Sequence, residues 1–161
     1  MIRNLLILDK NGRALLCSNF GECHSMCDNT EELSNFVQAL SDFGNEISAE
    51  RLNEIRLSGL RFLLMPKEDL IFSISADDQD ATEKHRKVLN EIIGLFADLY
   101  DTYSCGIEDE IETDVYKEFP KFLVDQGILD LNCGKFVECE GCPNRDKSLP
   151  LREMTEQLHK A

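Results

Sequence analysis

Ile2-Arg3-Asn4-Leu5-Leu6-Ile7-Leu8-Asp9-Lys10-Asn11-Gly12-Arg13-Ala14-Leu15-Leu16-Cys17 opens the chain with two apolar runs on either side of a turn signal. The Asn11-Gly12 pair tolerates the positive φ that tight hairpin turns demand, so the stretch is predicted to fold as a β-hairpin. Leu5 to Leu8 is apolar without alternation, and Leu60-Arg61-Phe62-Leu63-Leu64-Met65 has nearly the same texture. Strands of that kind are covered on both faces, which predicts helices on both sides of the sheet.

Both covers are visible in the periodicity. Leu33, Phe36, Val37, Leu40, Phe43 and Ile47 recur at helical spacing and predict a first helix over residues 30–47, with Asn29 and Glu32 placed as a capping pair. Val88, Leu89, Ile92, Ile93, Phe96, Leu99, Tyr100 and Tyr103 form a wide apolar stripe that predicts a second helix over residues 81–103, with Asp80 and Glu83 at capping-box distance. Between the helices, Leu52–Leu57, Leu60–Met65 and Leu70–Ser75 read as a three-strand meander broken at Ser58-Gly59 and Pro66-Lys67-Glu68-Asp69. Glu54 and Arg56, alternating with Ile55 and Leu57, suit a half-exposed strand whose charges discourage stray edge pairing. Beyond residue 103 the composition turns acidic. Tyr116, Phe119, Phe122 and Leu123 then suggest a third helix, interrupted near Pro120 and stopped by Gly127, and a short polar helix is expected from about Leu151.

The 161 residues suffice for one ordinary domain and an appendage, and the formal charge of -14 is spread along the whole length. Such a chain is repelled by phosphate backbones and anionic lipid, so nucleic acid is not an expected partner. The first apolar run is too short for a signal h-region, and no stretch reaches the roughly 20 apolar residues needed to span a bilayer. The expectation is a soluble, cytoplasmic protein with no membrane span. Lys84, His85, Arg86 and Lys87 form the one concentrated basic stretch, expected to be a solvated helix face. The acidic run Glu108–Asp114 lacks the glycine and ligand spacing of an EF-hand. No phosphate-binding glycine loop, G-x-S-x-G elbow or H-E-x-x-H helix is present, so no catalytic residue is proposed.

Seven cysteines fall into two groups, with Cys105 between them. In a chain read as intracellular, metal ligation ranks above disulfides. Cys133, Cys139 and Cys142 close the chain in a segment poor in apolar residues, where a structural Zn2+ ion would supply folding free energy. A fourth ligand is needed, for which His159, Cys105 and the N-terminal cysteines are candidates. Cys17 continues an apolar strand and reads as a small core residue. Cys23 and Cys27 read either as ordinary loop thiols or as the pair that completes the ion begun by Cys139 and Cys142.

The order strand, strand, helix, three-strand meander, long helix resembles the longin domain. The resemblance is carried by residues 2–12, by Glu54-Ile55-Arg56-Leu57-Ser58-Gly59 running into Leu60–Met65, and by Leu70-Ile71-Phe72-Ser73-Ile74-Ser75-Ala76-Asp77. It implies a three-layer α-β-α domain over residues 1–103 with a five-stranded, mainly antiparallel sheet in the order β-β-α-β-β-β-α. Residues 104–161 would then be an acidic linker, a helix and a cysteine-bearing extension. Longin domains and the similar roadblock domains are implied to be non-enzymatic platforms that pair through a helix and an exposed sheet edge. Their implied partners are Ras-like small GTPases, trafficking-type complexes, or another longin or roadblock chain in a homo- or heterodimer. The competing expectation is a metal- or redox-responsive module that uses the same body as a scaffold.

Overall fold

The computed structural model describes residues 1–21, 26–47, 53–57, 59–78, 80–100 and 113–131. Its centre is a five-stranded sheet made from β1 (Ile2–Asp9), β2 (Ala14–Asn19), β3 (Glu54–Leu57), β4 (Leu60–Lys67) and β5 (Leu70–Asp77). The spatial order is β2-β1-β5-β4-β3, and every neighbouring pair is antiparallel. One helix, α1 (Thr30–Ile47), separates β2 from β3, and a second, α2 (Thr82–Leu99), follows β5. This is the longin-like α/β arrangement expected from the sequence.

The hairpin forms for the predicted reason and is reinforced by a side chain. Gly12 takes φ +79°, and the Asp9 carboxylate accepts hydrogen bonds from the backbone N–H groups of Asn11 and Arg13, each at 2.9 Å. At the β4–β5 turn the left-handed position is held by Glu68, at φ +55°.

Unbroken apolar runs in β1 and β4 follow from their central positions, because alternate side chains serve two cores. Leu6, Leu8, Phe62 and Leu64 join Leu33 and Val37 beneath α1. Leu5, Ile7 and Leu63, with Phe72 and Ile74 of β5, join Leu89, Ile92 and Phe96 beneath α2. Five strands about 4.8 Å apart make a sheet roughly 19 Å wide, whereas one helix with its side chains is about 10–12 Å across. One helix therefore leaves part of each face uncovered.

On the α2 face the gap is closed by the returning chain. A 3-10 turn (Thr113–Tyr116) and α3 (Phe119–Asp125) place Tyr116, Phe119, Leu123 and Leu129 in the same core as Leu15, Leu16 and Phe20. Phe96, Tyr100, Tyr116 and Phe119 stack in tilted and edge-on pairs with ring centroids 4.8–5.8 Å apart. The expected boundary at residue 103 thus falls between elements that share one core. Pro120 starts α3 and does not interrupt it, since a missing N–H in the first helical turn breaks no hydrogen bond. Gly127, at φ +72°, ends the segment as expected.

The capping box expected at α2 does not form. Ala81 is the N-cap and makes no side-chain cap bond, while the Asp80 carboxylate pairs with the Met1 ammonium and with His85. The short helix expected near Leu151 lies outside the described residues. Among the described residues no helix is long and apolar enough to cross a membrane.

Candidate interaction surface

The α1 side of the sheet is less completely covered. Leu33 and Val37 face inward, and Phe36 packs edge-on against Phe62 with ring centroids 5.6 Å apart. Continuing the same helical stripe, Leu40 is half-buried, but Phe43 is 56% exposed and Ile47 63% exposed. The last turns of α1 run past the core they began by covering. On the edge strand β3, Ile55 packs into the α1-side core; Leu57, two residues on and so on the same face, is 42% exposed. Phe43 and Ile47 therefore leave apolar area open at the end of α1, near the two hairpin turns, while Leu57, paired with Leu60, is exposed at the opposite end of the sheet.

A charge network fixes that edge. Glu54 of β3 faces three guanidinium groups: Arg56 Nε at 3.1 Å, Arg61 Nε at 3.3 Å and Arg86 Nη2 of α2 at 3.3 Å. Burial alone would raise the Glu54 pKa. Hydrogen bonds from Arg56 and Arg86 and the charges of Arg61 and Arg56 outweigh it and hold the carboxyl below its ordinary value. Arg61, buried in β4, also donates to the carbonyls of Asp80 at 2.7 Å and Asp78 at 2.9 Å. The β5–α2 connection and the edge strand are thus held by one side chain.

At the same end of β5, buried Arg3 donates to Asp77 from Nε at 3.1 Å and Nη2 at 2.9 Å. Burial opposes ionisation of Asp77, but the hydrogen bonds and charge of Arg3, with the N-terminal ammonium, leave its pKa lowered. Neither Arg3 nor Arg61 stands out in the sequence as buried, since each interrupts an apolar run.

His85 departs from expectation. It is only 3% exposed, with Nε2 3.4 Å from Asp80 Oδ2, and it does not share a solvated face with Lys84 and Lys87. Burial, then the N-terminal ammonium and Arg61, push its pKa down to about 4. The sequence held the signal: residues 85, 89, 92 and 96 fall on the inward stripe of α2.

Among the candidate metal ligands, Cys27 is placed in a disulfide with Cys17, their Cα atoms 5.5 Å apart. This corrects the reading of Cys17 as a plain core residue and of Cys27 as a free thiol or ligand, because a sulfur in a disulfide has no thiolate to offer a metal. Spacing could not reveal the pair: Cys17 ends up near Cys27 only because the chain after β2 turns back across Leu5 and Asn19 to begin α1. Asn19 is the hub of that return, accepting from Asn4 Nδ2 at 2.6 Å and from the Cys27 N–H at 3.0 Å. Cys23, Cys133, Cys139 and Cys142, like Cys105, lie outside the described residues. Among the described residues no group of three or more His, Cys, Asp or Glu side chains is placed to hold a metal ion.

No protein-family model matches the chain, and no curated protein matches it in sequence. In structure it is similar to Myxococcus xanthus MglB, with a TM-score of 0.43 and 10% identity, over 60% of this chain and 85% of that one.

Proposed function

We propose that the protein is a non-catalytic, longin-like interaction platform, cytoplasmic in location, that binds a Ras-like small GTPase or a trafficking-type complex through α1 and the β3 edge. The observation that carries this reading is the open apolar area of Phe43 and Ile47 at the end of α1, on a body whose exposed edge strand β3 is held in place by its own charge network. Longin-like topology supports it, since the resemblance implies pairing through a helix and a sheet edge.

Titration of the labelled chain with Ras-like GTPases from the same genome, loaded with GDP or a GTP analogue, tests the proposal. Chemical-shift changes are expected along α1 and β3 with at least one of them, and binding by none counts against the GTPase role. GTP turnover followed in the same mixtures tells a passive platform from one that alters hydrolysis.

A second reading, a thiol-responsive module on the same body, is favoured by the Cys17–Cys27 disulfide at the start of α1. It is decided by whether reduction changes that binding.

A further inference from the structure

The Cys17–Cys27 disulfide joins two pieces of chain that are each anchored without it. Cys17 is held in the β1–β2 ladder opposite Leu6. On the other side, the turn Met26–Asn29 is gripped by Asn19, whose Oδ1 accepts the Cys27 N–H at 3.0 Å and whose Nδ2 donates to Asp28 Oδ1 at 3.2 Å. Asn19 is itself fixed by Asn4 Nδ2 at 2.6 Å, and Asn4 Oδ1 accepts from the buried Ser75 hydroxyl at 2.6 Å. This polar chain runs from the middle of the sheet to the turn and passes through neither sulfur. Breaking the S–S bond therefore leaves the two thiols facing each other.

The bond is also reachable. Both cysteines are half-buried, and Cys17 sits on β2, the first strand of the sheet in spatial order. Partly exposed disulfides are the labile, regulatory kind, because an attacking thiolate needs access. In a cytoplasmic chain, the location proposed above, disulfides are transient or redox-sensing.

We propose that Cys17–Cys27 is a reversible redox latch on the root of α1. A dithiol reductant attacks one sulfur, the Cys17–Cys27 bond breaks, and the reductant's own disulfide forms; its two electrons and two protons end on Cys17 and Cys27 as thiols. A disulfide of the glutathione class reverses the exchange. The reduced chain keeps its sheet, while the turn Met26–Asn29 and the first turn of α1 open locally, held by Asn19. The latch thereby sets how firmly the helix that carries Phe43 and Ile47 is rooted in the body. The inference rests on the thiol-responsive reading above and names the part that responds.

To test it, the full chain is reduced with dithiothreitol, freed of it, and re-oxidised with glutathione disulfide. Alkylation and peptide mapping report which cysteines are paired, and NMR reports the fold. Cys17 and Cys27 should cycle between the two forms without loss of the folded spectrum. In the reduced form, amides of residues 26–33 should exchange on the order of tenfold faster, through a local opening insensitive to low urea, while amides of β1 and β5 keep exchanging through the urea-sensitive global opening. Met26, buried with Leu6 and Leu33, should show the change as a shift of its methyl signal. Cys17→Ser should reproduce the reduced behaviour in every redox buffer, and Cys23→Ser should leave the cycle intact.

A pair that is reduced only in denaturant, or that does not re-form in the folded chain, is a permanent staple and overturns the proposal. So does loss of the cycle in Cys23→Ser, or exchange at residues 26–33 that stays as slow as before once the bond is open. A reversible latch with partner binding unchanged by reduction keeps this inference while removing the thiol-responsive reading.

Discussion

His85 is a buried imidazole with positive charges and the Asp80 carboxylate around it, and its protonation is linked to folding. Its pKa is about 4 in the folded chain against 6.5 ordinarily. Between those values the unfolded chain binds a proton that the folded chain does not, so stability rises with pH across that window. Acidification from pH 6.5 towards 4 should therefore lower the unfolding midpoint, with uptake of about one proton per molecule unfolded. His85→Gln should flatten this slope in urea titrations at several pH values. Asp77 acts lower on the scale: its pKa lies below 3.8, so the stability it contributes is present above that value and is lost as pH falls further. The two residues give acid unfolding two separable stages.

The disulfide joins the edge strand β2 to the 3-10 turn (Met26–Asn29) that leads into α1. Closing a loop of this size restricts the unfolded chain by about 2–3 kcal/mol. Reduction, or Cys17→Ser, should lower stability by about that amount. The loss should be accompanied by faster amide exchange at the start of α1, where Asn19 alone would hold the return. An unchanged melting temperature in reductant would mean that the bond does not form in solution.

The elements themselves were legible because strong local patterns agreed with the final packing. Helix α1 spans the predicted residues, and the Asn-Gly turn, the meander and the stop at Gly127 rest on backbone demands that few residues meet. What stayed hidden depends on long-range closure. Arg3 is matched to Asp77, 74 residues away, and Cys17 meets Cys27 only after the chain has reversed. The open face could not be read either, because Phe43 and Ile47 continue a periodic stripe and look like core until the sheet beneath them runs out.

At the scale of the whole molecule, residues 113–131 complete the body. Phe119 and Leu123 are fully buried against α2 and β2, so the described part of the extension should unfold together with the sheet. Phe119→Ala should cost about 3–5 kcal/mol, the range for truncating a buried aromatic side chain. Circular dichroism and tyrosine fluorescence should still report one coincident transition, whereas two separate transitions would make the segment an independent unit.

The same packing sets a timetable for synthesis. Phe96 and Tyr100 leave the ribosome well before Leu129, which lies 29 residues after Tyr100. At about 5–20 residues per second, roughly 1 to 6 seconds pass in which the aromatic ridge of α2 exists without its cover. For that interval the nascent chain carries a sticky surface that the finished protein no longer displays, and chaperones would meet it there.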